Sequence, residues 1–193
     1  MPMTFPNDVE RYISELFADR QYPEMSDILC QRVAKFAKSR KFCFVRRILL
    51  RKLLAEMQNV DLLSEVKLRF EICRNRYAYM RDDGLVVFDF GAFYTKSGRF
   101  MTCVALHEIA HLVLCQQANY GELKKLDEEF FQTVPKTAQS VEISPIEYYA
   151  TQWSITWMEQ VAKIYQIDGL SAEVERERNR LAAAYKVVIK GND

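Results

Sequence analysis

His107-Glu108-Ile109-Ala110-His111 contains both histidines of this 193-residue chain, and its reading decides the fold. Residues four apart lie one above the other on a helix face, so the two imidazoles can reach a single metal ion. Glu108 points to the flank of that face, where its carboxylate can take a proton from a water beside the ion instead of ligating it. The pattern H-E-x-x-H is that of zinc hydrolases. A lone histidine on an apolar helix is ordinarily a packed core residue, but that reading must here explain two histidines and a glutamate at once. The flanks, Met101 to Leu106 and Leu112 to Cys115, are nearly uncharged. An unpaired Glu108 in such a helix would be costly unless something charged or wet lay beside it.

Working outward, Ser97 is a candidate N-cap, and the histidine helix is expected from about Arg99 to Gln117, stopping near Asn119 or Gly121. Before it the period changes. Val66, Leu68, Phe70 and Ile72 alternate with Lys67, Arg69 and Glu71, as in a half-buried strand. A second strand, Tyr77 to Arg81, meets a third, Leu85 to Phe90, across the turn residues Asp83-Gly84. Three helices are expected ahead of these strands: about 8 to 20, from Ser26 to about Arg40, and Phe44 to Met57. After the histidine helix, Glu122 to Val141 reads mainly as a connection with at most a short helical piece. Ser144-Pro145 opens a further helix, and Ser171 begins the last, which reaches roughly Val188. The fold class is therefore α+β, mostly helical, with a small antiparallel sheet packed against the histidine helix. Residues 1–60 form an N-terminal helical region and 61–193 the core with its C-terminal helices, together one compact unit.

Hydrophobic residues at 49% and charged residues at 27% suit a globular protein and argue against disorder. The five cysteines are odd in number and form no C-x-x-C pair, so reduced thiols are expected rather than a disulfide framework. Charges at Asp8, Glu10, Arg11 and Glu15 interrupt any signal-like apolar stretch, and no membrane-length apolar run is evident; the expected location is cytoplasmic. Net charge is +1 but uneven: residues 31–81 hold 14 Lys or Arg against 4 Asp or Glu. A solvated face opposed by the protein's own acidic segments is the expected reading, with nucleic acid or an acidic partner as the alternative.

A zinc hydrolase site usually has three protein ligands and a water. There is no third histidine, and Leu114 and Gln117 stand where the long metzincin pattern needs Gly and His. A carboxylate must complete the set, and Glu147, one turn into the Ser144 helix, is the choice over Glu142, Asp127, Glu128 and Glu129. Ser144-x-x-Glu147 is also a capping box, in which the carboxylate would only satisfy a backbone N–H. Cys103 and Cys115 extend the histidine stripe, but the four residues would span about 18 Å, too far for one ion.

His107-Glu108-x-x-His111 followed by Glu147-x-x-Ala150-Thr151 resembles the gluzincin metallopeptidases, in which a Glu on a later helix is the third ligand and a small residue follows it. With Arg99-Phe100 opening the helix, the chain is most similar to the small bacterial ImmA/IrrE-type peptidases, over about Val66 to Gln160. The resemblance implies a zincin-like core, Zn²⁺ on His107, His111 and Glu147, and Glu108 as general base. It also implies hydrolysis of a peptide bond in a regulatory protein such as a helix-turn-helix repressor. Strand Leu85 to Phe90 is expected to bind extended substrate by strand addition, and Tyr148, Tyr149 and Tyr120 are candidates for the oxyanion donor. The chain departs from the family at Thr151, where many gluzincins place Asp or Asn to orient a ligating histidine. A hydroxyl carries no charge and raises histidine basicity less. The alternative function is accordingly a protein that keeps the fold and docks a partner without cleaving it.

Overall fold

The computed structural model describes residues 24–74, 76–81, 83–116 and 120–190. The first expected helix, 8–20, lies outside them. Helix α1 (Asp27–Ala37) begins at Ser26, whose hydroxyl accepts the Leu29 N–H at 3.3 Å. Its apolar stripe, Leu29, Val33 and Phe36, meets Leu50, Leu53 and Met57 of α2 (Val45–Asn59). The loop between them is anchored by Arg46, whose fully buried guanidinium finds acceptors in every direction. It donates to the carbonyls of Ser39, Arg40, Phe93 and Lys96, and Nε donates to the Ser39 hydroxyl at 2.9 Å. Burial lowers the pKa of this side chain, and the acceptors replace the water it has lost.

Strands β1 (Lys67–Glu71), β2 (Ala78–Met80) and β3 (Leu85–Asp89) form one sheet in the order β1-β3-β2. Gly84, at φ +75°, turns the β2–β3 hairpin, and those strands pair antiparallel as expected. The sheet as a whole is mixed, which corrects the antiparallel expectation, because β1 runs parallel to β3 with Lys67 opposite Leu85. β1 precedes a hairpin whose second strand takes the middle place, so β1 pairs with the strand that shares its direction. β3 is therefore paired on both sides, and among the described residues β2 is a free edge.

Asp89 ends β3 and caps the next helix, accepting the Ala92 N–H at 2.6 Å. That helix, α3 (Phe90–Thr95), takes Phe90 out of the expected strand. α4 (Gly98–Gln116) carries the histidines, and Ser97 accepts the Phe100 N–H at 3.1 Å. α4 has the length and hydropathy of a membrane span, but 67% of that stretch is buried in the protein's own core.

The chain after α4 is more helical than expected. α5 (Tyr120–Thr133) replaces the expected connection, because Leu123, Leu126 and Phe130 recur at helical spacing and turn inward among the charges. The short α6 (Ala138–Glu142) follows a capping box at Thr137 and Ser140. α7 (Pro145–Tyr165) and α8 (Leu170–Lys190) match the two expected C-terminal helices. α7 packs along α4, with Trp153 and Trp157 fully buried and their ring centroids 4.4 Å apart. One continuous core runs from Met25 and Leu29 through Leu106 and Trp153 to Leu181, so α1 and α2 pack on the same centre as α4 and α7.

Candidate metal centre

α4 and α7 set the site. His107 and His111 lie one turn apart on α4, their rings nearly perpendicular at 83°. Across the helix interface, Glu147 enters from the first turn of α7. Its Oε2 is 3.1 Å from His107 Nε2 and 3.5 Å from His111 Nε2, and the two Nε2 atoms are 3.0 Å apart. Glu147 does not act as a cap: the Ser144 N–H it would accept bonds instead to the Val141 carbonyl at 3.1 Å. Asp127 of α5 instead accepts the Ile146 N–H at 3.3 Å. That contact occupies one rival ligand. Glu142 faces Arg180, and Glu128 and Glu129 are exposed.

Among the described residues, His107, His111 and Glu147 form the one group of three that could hold a metal ion. The donor set fits zinc, since tetrahedral bonds of 2.0–2.1 Å separate donor atoms by roughly 3.3 Å. Thr151, one turn beyond Glu147 and buried, places its Oγ1 3.2 Å from His107 Nδ1. With Nδ1–H donating to that hydroxyl, Nε2 presents a lone pair towards Glu147 and His111. Such a cluster must be neutralised by a cation or by protons. Without a cation, burial pushes the Glu147 carboxyl up, but hydrogen bonds from His107 and His111 outweigh it and hold the group below the usual carboxylate range. Burial pushes His111 down, and its hydrogen bond to Glu147 reverses that, leaving it raised.

Glu108 lines the same cleft while remaining buried, and burial raises its pKa against the opposing pull of His107 and His111. The cleft measures about 690 Å³ and includes Arg76, Ala78, Tyr79, Met80, Lys136 and Arg180 in its walls. Tyr120, Tyr148 and Tyr149 are not in that lining; Tyr79 and Arg76 are, and sequence reasoning missed them. Their only sequence signal is that Tyr79 lies in, and Arg76 just before, an expected strand whose place in the sheet is not legible.

The substrate strand also has to be reassigned. β3 is paired on both sides, so strand addition at Leu85 to Phe90 is ruled out. The edge that borders the cleft belongs to β2. Asp89 N–H bonds to the Tyr77 carbonyl at 2.8 Å and Arg81 N–H to the Leu85 carbonyl at 2.9 Å. This alternation turns the backbone groups of Ala78 and Met80 away from β3, towards the open side.

Comparison of the chain with family models, with curated proteins and with solved structures finds no match.

Proposed function

We propose that the protein is a zinc-dependent peptidase. The observation that carries this reading is the convergence of His107, His111 and Glu147 on one point, in a cleft that also contains Glu108 and a free strand edge. These three side chains would hold Zn²⁺ through two nitrogens and one oxygen. Bound there, zinc supplies a Lewis acid that polarises a carbonyl and lowers the pKa of water towards neutrality. Glu108 accepts the proton of the attacking water and returns it to the leaving amine. Thr151 holds His107 in the tautomer that leaves Nε2 free. Arg76 and Tyr79, in the cleft wall, are among the donors available to the developing oxyanion. An extended peptide adds beside β2 and bonds to the outward groups of Ala78 and Met80.

The resemblance of the two helix motifs to gluzincins of the ImmA/IrrE type supports a protein substrate, and by that analogy a regulator. A second reading is favoured by Thr151: an uncharged partner for His107 suits a protein that holds the metal and docks a partner without cleaving it. One experiment separates the two. Protein purified without added zinc should contain about one zinc per chain, and the wild type should cleave members of an unbiased peptide library. Glu108→Gln should retain zinc and fold but lose cleavage, since an amide cannot take the proton. Equal cleavage by both proteins removes Glu108 from the mechanism, and cleavage by neither when zinc is bound favours the docking protein.

A further inference from the structure

At the far end of α4, nine residues before His107 and about 13 Å from it along the helix axis, a second groove of about 570 Å³ opens. It is lined by Lys38, Arg40, Lys41 and Arg99 against a single carboxylate, Asp168. None of the four cations has a carboxylate partner among the described residues; Arg99 instead donates to the Asp168 carbonyl. The same holds along the adjoining face of α2, where Arg47, Arg51 and Lys52 are exposed. Among the described residues, the ion pairs of the basic 31–81 region are Arg69–Glu71, internal to it, and Arg81–Asp83, to a carboxylate two residues beyond its end. Glu173 and Glu177 of α8 pair with that helix's own Arg176 and Arg180, and its Arg178 and Arg180 pair with Glu159 of α7 and Glu142 of α6. The expected neutralisation by the protein's acidic segments is thus absent among the described residues.

Beside the cations stand aromatic rings with open faces. Phe42 is 68% exposed, Phe44 85% and Phe90 52%. Phe44 and Phe90 flank Tyr94, whose ring centroid is 6.1 Å from the first and 5.1 Å from the second. Phe42 has a left-handed backbone, φ 56°, that a phenylalanine rarely adopts. Its N–H bonds to the Tyr94 carbonyl at 2.7 Å, and the Arg46 anchor fixes the carbonyls of Ser39 and Arg40 just before it. Phe42 is therefore held in water at the tip of a basic loop, at a conformational cost, by its bond to the Tyr94 carbonyl, with the exposed Phe44 two residues on.

We propose that this groove and loop bind single-stranded nucleic acid, with phosphates along Lys38, Arg40, Lys41 and Arg99 and bases stacked on Phe42 and Phe44. A row of cations without counter-charges matches a polyanion, and exposed π faces beside it match unpaired bases. A duplex would satisfy the cations but hide its base faces. The surface is independent of the metal centre and of the peptidase reading.

The test is fluorescence anisotropy of the full chain with a labelled twelve-nucleotide oligothymidine, the matching duplex, and vesicles of equal phosphatidylglycerol and phosphatidylcholine. The single strand should bind more tightly than the duplex, with affinity falling steeply with salt. Phe44→Ala, at an exposed position, should weaken single-strand binding about tenfold without changing the salt slope. Arg40→Glu combined with Lys41→Glu should reduce the slope by about 1.4, at ~0.7 for each lost phosphate contact on a single strand. Melting temperatures within a few degrees of wild type confirm that both variants are folded. Equal affinity for the duplex, an unchanged affinity in Phe44→Ala, an unchanged slope in the charge variant, or vesicle binding without oligonucleotide binding would each overturn the proposal.

Discussion

Thr151 Oγ1 lies 3.2 Å from His107 Nδ1, a contact between α7 and α4 that fixes how the histidine presents its other nitrogen. The hydroxyl is buried and Glu147 enters one turn earlier on the same helix, so α7 supplies both a carboxylate to the cluster and the group that orients His107 opposite. Thr151→Val keeps the shape and removes the acceptor. Zinc affinity, measured by competition with a chelator, should fall by about 10–100-fold while the melting temperature of the metal-free protein changes little. Thr151→Ser should restore most of it. An unchanged affinity in the valine variant would mean that the ring is positioned by packing alone.

Glu147→Gln should deplete bound zinc and lower the melting temperature of the zinc-loaded protein, because metal bound only to the native state stabilises it by mass action. Cys103→Ser should leave zinc content unchanged. Burial drives the Cys103 thiol well above its ordinary range, and the side chain sits in the core. Full zinc occupancy in Glu147→Gln would pass the third-ligand role to another carboxylate.

In the metal-free protein the site has a defined pH dependence. Glu147 is depressed below its ordinary 4.5, so its contribution is present above that value and lost as pH falls through the depressed pKa. His111 is raised above its ordinary 6.5, so its contribution is complete below 6.5 and lost as pH rises through the raised value. Metal-free protein should therefore melt highest between about pH 4.5 and 6.5 as far as this pair is concerned, and Glu147→Gln should flatten the profile. Zinc must displace the His111 proton, so calorimetric zinc affinity should climb with pH across the raised pKa. A flat affinity between pH 6 and 8 would contradict a protonated His111 in the cluster.

Arg46→Met should destabilise the chain by about 3 kcal/mol, since it strands several buried acceptors at the α1–α2 and α3–α4 junctions. Urea unfolding measures this. If zinc stoichiometry also fell, the anchor would be coupled to the metal centre through α4.

Met80→Pro removes the outward N–H of an edge strand, a place where proline is tolerated. KM for an extended peptide should rise several-fold with zinc content intact. No change in KM would place the substrate away from β2.

The sequence by itself determined the local chemistry. Five residues placed two imidazoles and a carboxylate on one helix, and helical geometry makes that spacing sufficient without knowledge of any neighbour. Short-range signals also set Ser97 as a cap, the Gly84 turn, and the Pro145 start, because each depends on a few adjacent residues. A similar signal at Leu123, Leu126 and Phe130 is obscured by the charges around it, so that in sequence alone the α5 segment resembles a connection.

The tertiary structure alone decided what meets what. Ser144-x-x-Glu147 favours a ligand in sequence but leaves a cap open; only the approach of α7 to α4, fixed by the Trp153 and Trp157 packing, brings Glu147 to 3.1 Å from His107. Alternation identified the strands but not their order, since a strand's period states which faces are wet and not which neighbour it takes. The order β1-β3-β2 closed both sides of β3 and left β2 open on the cleft. Charge counting found the excess of lysine and arginine in residues 31–81, whereas only the ion pairs formed among the described residues could tell a neutralised face from an unpaired one. Long-range pairing depends on the summed packing of segments far apart in the chain, and no local window of sequence contains it.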